Sequence, residues 1–214
     1  MKVYKNFISF EGIDFSGKTT QIQMLLQRLA SCHINPIFVR EPGGTPLSEK
    51  IRQILLNTEH SEMHAKTELF LYEAARAQLV HQRIFPLLES GQYVIADRFY
   101  DSTTAYQGYG RKLNLRLVHT INQFATSNLR PYVTFFIDIT PAQAEERQLI
   151  SRHQKDRLEK GGIEFFTKIR NGFYKINRAE PKRFLIIRGD RDPEVISDDI
   201  WKIVKKIWRI KAND

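Results

Sequence analysis

This sequence predicts an α/β fold with a five-stranded parallel sheet and helices on both faces, and three observations carry that prediction. Five short, continuously apolar runs recur along the chain: Phe7–Phe10, Ile37–Val39, Tyr93–Ala96, Tyr132–Ile137 and Phe184–Ile187. Runs of that length without polar alternation belong to strands buried on both faces, as parallel sheets require. Helical periodicity fills the intervals between them, which is the pattern of a sheet sandwiched between helices. Polar residues stand at the carboxyl ends of the runs, where open parallel sheets bind their ligands. Arg40-Glu41 follows the second run, Asp97-Arg98 the third, Asp138 the fourth and Arg188-Gly189-Asp190 the fifth.

The first run meets Gly12-x-x-x-x-Gly17-Lys18-Thr19, and a helical pattern over Gln21–Ala30 follows at once. Strand, glycine-rich loop and helix in that order form the phosphate loop of P-loop NTPases, which have a three-layer fold. The glycines let backbone N–H groups curl inward as a nest, the helix directs its positive dipole end at the same point, and Lys18 adds a full charge. Gly12, Ile13, Asp14, Phe15, Ser16, Gly17, Lys18, Thr19 and Thr20 are therefore candidate polyphosphate-binding residues, with the Thr19 hydroxyl placed to hold a magnesium ion.

The second run ends in Arg40-Glu41-Pro42-Gly43-Gly44-Thr45, a forced loop, before a helix over Leu47–Leu56. A longer helix is predicted over His64–Val80, and a further one, interrupted by Pro86, ends near Gly91. A helix over Arg116–Thr126 leads to the fourth strand, and Pro141 opens another that runs into the charged stretch Glu145–Lys160. Val195–Ile210 is the last helix; it is basic and amphipathic, and packing against the sheet accounts for its apolar face.

The 214 residues suit one domain, 1–214, with no Gly/Ser- or Pro-rich linker to divide it. A single cysteine, Cys32, excludes an intramolecular disulfide framework, and no apolar run is long enough for a membrane span. A cytoplasmic setting without membrane contact is the expectation. The net charge of +9 invites a nucleic-acid partner, but its distribution argues against one. From Arg147 to Arg191 there are 13 Lys/Arg against 5 Asp/Glu, whereas Asp192–Asp214 balances at zero. A concentrated excess suits a clamp for a small polyanion. The six histidines show no metal-ligand spacing, and no Asn is followed by Lys, which removes the guanine-reading motif of switch GTPases.

Taken together, the phosphate loop, Arg40–Thr45, Ala74-Ala75-Arg76-Ala77-Gln78, Asp97-Arg98 continuing through Ser102-Thr103-Thr104-Ala105-Tyr106-Gln107-Gly108, and Asp156-Arg157-Leu158-Glu159 resemble the thymidylate kinase family. These are nucleoside-monophosphate kinases that move the γ-phosphoryl group of ATP to dTMP, giving dTDP and ADP.

The resemblance implies ATP and dTMP as substrates, Mg2+ as the required ion, and a homodimer. By resemblance Arg98 holds the acceptor phosphate, with Arg40 as a second candidate whose alternative is an ion pair with Glu41. Asp14, Tyr72, Arg76, Tyr106 and Gln107 complete the dTMP site: Asp14 at the sugar, Tyr72 stacked on thymine, Arg76 on a base carbonyl. Tyr72 and Arg76 share a helical face at four-residue spacing. Asp97 either orients Arg98 or serves the metal beside Thr19, with Asp138 as its competitor. The stretch of about 145–160 resembles a mobile lid. The phosphate loop contains no arginine, so the catalytic arginine is expected in that lid: Arg152 for the developing charge, Arg147 near the adenine and Arg157 closing the site.

Overall fold

The computed structural model describes residues 2–151 and 155–210. Five parallel strands, β1 (Lys2–Glu11), β2 (Ile37–Arg40), β3 (Val94–Asp97), β4 (Leu129–Asp138) and β5 (Phe184–Arg188), lie in the order β2-β3-β1-β4-β5. From β1 the chain runs outward to β2, turns back to β3 and crosses to β4 and β5, so the neighbours β1 and β3 lead off in opposite directions, a reversal of travel between them. That reversal opens a crevice beyond the carboxyl ends of β1 and its neighbours.

Successive side chains of a strand face opposite sides, and the two faces of this sheet are covered separately. Ile8 and Phe10 of β1, with Ile95, Phe135 and Ile137, meet α1 (Lys18–Ser31) and α9 (Pro193–Ile207) through Ile22, Leu25, Leu29, Ile196, Ile200 and Val204. Phe7, Val39, Val94 and Ala96 face the other way. They meet α3 (Ala65–Leu79), the π-helical turn Val80–Ile84 that continues it, and α4 (Phe85–Glu89). Phe136 and Phe184 on that second face pack against Phe165, Ile169 and Phe173 of α8 (Gly162–Ala179). Burying each such side chain contributes about 1.5–3 kcal/mol.

Between these lie α2 (Pro46–Leu56), the single turn α5 (Tyr100–Thr103) running into a π-helical segment Thr104–Gly110, α6 (Leu115–Ala125) and α7 (Pro141–Ser151). Helix α2 is capped by Thr45, which accepts from Ser48 N, with Pro46 in the first turn. The predicted strands are each present; four are one to several residues longer than their apolar cores, because the sheet continues wherever a neighbour supplies hydrogen bonds, and β3 keeps its length but starts one residue later, at Val94. Helix α8 is absent from the prediction, and so are α5 and the π-helical segment that continues it. The predicted last helix begins two residues earlier, at Pro193, where Asp192 accepts from Glu194 N and caps it.

Candidate active site

The site is built on loops at the carboxyl edge of the sheet. Beyond β1, the chain turns through Gly12 at φ 149°, Phe15 at φ 62° and Gly17 at φ 95° before α1 begins. Gly12 is obligatory there, since a Cβ would come within 2.7 Å of both Ile137 O and Ser16 Oγ. Lys18, only 7% exposed, donates to Gly12 O and Ile13 O, each at 3.0 Å. Burial, reinforced by Arg98, pulls its ammonium down to about 8. A buried cation held by two carbonyls and short of an anion is ready to receive one.

Lys18, Thr19 and Thr20 line an open cleft of about 1610 Å3, together with Asp97, Arg98, Arg147, Gly189 and Arg191. Arg147 reaches across it, donating to Phe15 O and Ser16 O at 3.3 Å and to Gly189 O at 2.8 Å. The Ser16 hydroxyl is buried in the loop without a hydrogen-bond partner.

A second cavity is lined by Tyr72, Arg76, Ser102, Tyr106, Gln107, Asp156 and Leu158. Asp14, Glu41, Arg52 and Arg98 line both spaces, so the two meet along one seam. Arg98 crosses that seam. Its Nη2 donates to Asp14 Oδ1 at 2.6 Å and its Nη1 to Gly12 O at 2.8 Å, and its guanidinium lies 5.1 Å from the Tyr106 ring centroid. Tyr106 in turn donates its hydroxyl to Asp14 Oδ2 at 3.2 Å. Burial works to raise the Asp14 carboxyl, but Arg98 and then Lys18 hold it below the usual carboxylate range.

Several expected residues converge here, and others stand elsewhere. Asp14, Tyr72, Arg76, Arg98, Tyr106 and Gln107 share the second cavity. Arg40 lines only the phosphate-side cleft; it is exposed and pairs with Glu49 at 3.4 Å, not with Glu41. The carboxylate that orients Arg98 is Asp14. Arg157 turns away from both spaces, donating to Leu55 O at 2.8 Å and pairing with the buried Glu68 at 2.6 Å. Arg152 lies outside the described residues.

Arg76 is the surprise in detail. It is 2% exposed, and each of its five N–H groups already faces a protein acceptor. Nε and Nη2 engage Glu41 Oε2, Nη1 engages Glu73 and Thr103 Oγ1, and Nη2 also reaches Phe99 O. Glu41 Oε1 and Glu73 Oε2 remain buried without partners, and burial raises the Glu41 carboxyl to about 7 against the pull of Arg76.

For a divalent ion, Thr19 and Asp97 both line the phosphate-side cleft, and their hard oxygens suit Mg2+. Asp138 is committed elsewhere: Arg170 grips both its oxygens at 2.7 and 2.8 Å, and Tyr174 donates to it at 2.6 Å. Among the described residues no three His, Cys, Asp or Glu side chains form a metal-ligand group. Protein ligands would thus be few, and phosphate oxygens and water would complete the shell.

Sequence reasoning missed Glu11 and Arg52, and took Glu41 only as a partner for Arg40 rather than for Arg76. Arg52 sits on the seam, bonded to Pro42 O at 3.0 Å, and its signal, an arginine on the helix after the second strand, is too common to single out. Glu11 is fully buried, and burial, then Asp101, pushes its carboxyl up to about 8.

A phosphate loop opening onto one cleft, a guanidinium on a shared seam and an aromatic-lined cavity beyond it define a P-loop phosphotransferase of the nucleoside-monophosphate kinase type. Comparison with known proteins narrows the class. The thymidylate kinase family model matches residues 10–200. A thymidylate kinase of Chlorobium phaeobacteroides is 44% identical over 207 residues, covering 93% of this chain and 94% of that one. One from a Thermoanaerobacter species is 44% identical over 200 residues, covering 94% and 97%. The crystal structure of thymidylate kinase from Ehrlichia chaffeensis superposes with a TM-score of 0.75 at 31% identity, covering 96% of this chain and 99% of that one. This chain belongs to the thymidylate kinase family.

Proposed function

We propose that the protein transfers the γ-phosphoryl group of ATP to dTMP, with ATP phosphates on the loop Gly12–Thr20 and dTMP in the cavity of Tyr72, Arg76, Tyr106 and Gln107. The observation that carries this reading is the seam: Asp14 and Arg98 border both spaces, so two bound phosphates would meet at one guanidinium. Phosphoryl transfer asks little covalent chemistry of a protein and a great deal of positioning. Lys18 neutralises the donor phosphates; Arg98, planar and able to give two parallel hydrogen bonds, holds the acceptor. Asp14 keeps Arg98 in place and lies within reach of the acceptor sugar. Tyr72 offers its ring face to the base, and Tyr106 borders the sugar edge. Thr19 and Asp97 would hold Mg2+, which would supply positive charge at the phosphates.

Arg147, already against the phosphate loop, faces the donor nucleotide, and Arg152 remains the arginine assigned to the group in transfer. Closure of the lid of about 145–160 would bring these charges together only over two nucleotides, limiting hydrolysis of ATP. Arg157 supports the lid through Glu68 rather than touching phosphate.

A homodimer is part of the reading. Phe70 on α3 and Leu117 and Phe124 on the adjoining α6 are 59%, 50% and 87% exposed, a cost that a second copy covering that face would remove. A cytoplasmic setting without nucleic acid or membrane is likewise proposed; no helix of the described residues is long and apolar enough to cross a membrane.

The test is a panel of dTMP, dUMP, dCMP, dAMP and dGMP with ATP and Mg2+ in a coupled ADP-release assay. Turnover of dTMP well above the rest is the expected result, and equal rates across the panel would refute it.

A further inference from the structure

Arg98 reaches the seam from an uncomfortable backbone. Its φ is 68°, in the left-handed region, which a residue with a Cβ keeps only where its surroundings hold it there. Part of the hold is Arg98 N donating to Phe10 O at 2.9 Å. The rest comes from Glu11, at the end of the neighbouring strand. Phe99, which opens α5, offers no side-chain cap. Glu11 Oε1 supplies one from outside the helix, accepting from Phe99 N at 2.8 Å and Ser102 N at 3.2 Å. Phe99 N is a donor that a helix start leaves unsatisfied, and Ser102 N shares its hydrogen between Glu11 and Phe99 O at 3.0 Å.

The second oxygen does something different. Glu11 Oε2 accepts from the Ser102 hydroxyl at 2.6 Å, and Arg98 Nη1 donates to that same hydroxyl at 3.2 Å. With Glu11 ionised, the Ser102 hydrogen is committed to it and the Ser102 oxygen can present only lone pairs to Arg98. Glu11 is fully buried and lines neither cleft, whereas Ser102 lines the acceptor cavity. The far side of the turn is fastened independently, since Arg183 grips both oxygens of Asp101 at 2.7 and 2.8 Å.

We propose that Glu11 is a positioning residue that, through Ser102, sets Arg98 for the acceptor phosphate. The proposal rests on the reading of this site as a dTMP kinase. Above the value of about 8 to which burial raises it, Glu11 is a carboxylate, and an amide cannot replace it. Gln at position 11 keeps one oxygen for the two backbone donors but turns an NH2 toward the hydroxyl, whose hydrogen must then swing elsewhere. A displacement of the order of 1 Å at a substrate clamp lowers turnover by as much as about a hundredfold.

The experiment compares wild type, Glu11→Gln, Ser102→Ala and the double variant at about pH 9, above the Glu11 value, by steady-state kinetics in dTMP and ATP separately, with circular dichroism and thermal unfolding alongside. Expected for each single variant is a loss of about 10- to 100-fold in kcat/KM for dTMP, with KM for ATP held within about twofold. The double variant should lose no more than the worse single one, since both changes break one chain of contacts. Unaltered dTMP kinetics in Glu11→Gln, an equal rise in KM for ATP, or losses that multiply in the double variant would overturn the proposal. If Glu11→Gln does not fold, Ser102→Ala decides, because it leaves the backbone caps intact: wild-type kinetics there would overturn it and the dTMP-specific loss would sustain it. Wild-type protein inactive on dTMP would instead refute the underlying reading, and the proposal with it.

Discussion

Replacing Arg76 with methionine separates a residue that builds the site from one that reads the base. Methionine fills similar volume and offers no N–H, so all five donor contacts to Glu41, Glu73, Thr103 and Phe99 are lost while packing is largely kept. Glu41 and Glu73, each 4% exposed, are left without a counter-charge. Removing one partner of a buried ion pair costs about 3–5 kcal/mol, a large part of the roughly 5–15 kcal/mol that holds a domain folded. For a chain of this size that corresponds to a fall in thermal midpoint of about 6–20 °C. The deficit should widen as pH rises above 7: Glu41 sits at about 7 with Arg76 present, and without it burial pushes that carboxyl higher still. Adding Glu73→Gln to the variant removes one stranded carboxylate and should recover part of the loss. Thermal and urea unfolding of the ligand-free protein from pH 6 to 9 measure all three effects. A midpoint within about 2 °C of wild type, accompanied by a raised KM for dTMP, would refute the reasoning and return Arg76 to base recognition alone.

Three further outcomes follow from the same geometry. Lys18→Met should lower kcat by about 100- to 1000-fold without lowering the thermal midpoint, because the ammonium it removes is buried with only carbonyl partners; stopped-time ADP assays and calorimetry check both halves. The Glu11 carboxyl is raised by burial from 4.5 to about 8, so between those pH values the folded chain binds a proton that the unfolded chain does not. Its favourable contribution is complete below 4.5 and is lost as pH rises through 8, a slope of up to about 1.4 kcal/mol per pH unit. The ligand-free midpoint should therefore fall from pH 5 to 8, and less steeply in Glu11→Gln. Phe124→Asp, on the exposed face of α6, should shift sedimentation from dimer toward monomer while leaving the monomer's circular dichroism unchanged.

What the sequence determined by itself was the frame and the donor end of the site. Periodicity of buried strands, together with the loop Gly12–Thr19, is local information: a strand, a nest of amides and a helix N-terminus follow one another within fourteen residues, Phe7–Thr20. Tyr72 and Arg76 share a helical face for the same local reason. Helix α8 carries a legible spacing at Phe165, Ile169, Phe173 and Ile176, yet Gly161-Gly162 and Asn171-Gly172 punctuate it like turns. Only the fold explains Gly172: a Cβ there would lie 2.6 Å from the ring of Tyr109.

The tertiary structure decided who partners whom. Adjacency in sequence suggested Arg40 with Glu41 and Asp97 with Arg98; in space Glu41 belongs to Arg76, Arg40 to Glu49, and Arg98 to Asp14. Parallel strands put the ends of β1, β2 and β3 side by side although they are separated by dozens of residues, and a charge pairs with what lies across the sheet edge. Glu11 was invisible for the same reason. Nothing in its neighbourhood along the chain asks for a buried carboxylate; the need arises from Phe99 and Ser102, whose donors come to rest against it only once β3 lies beside β1.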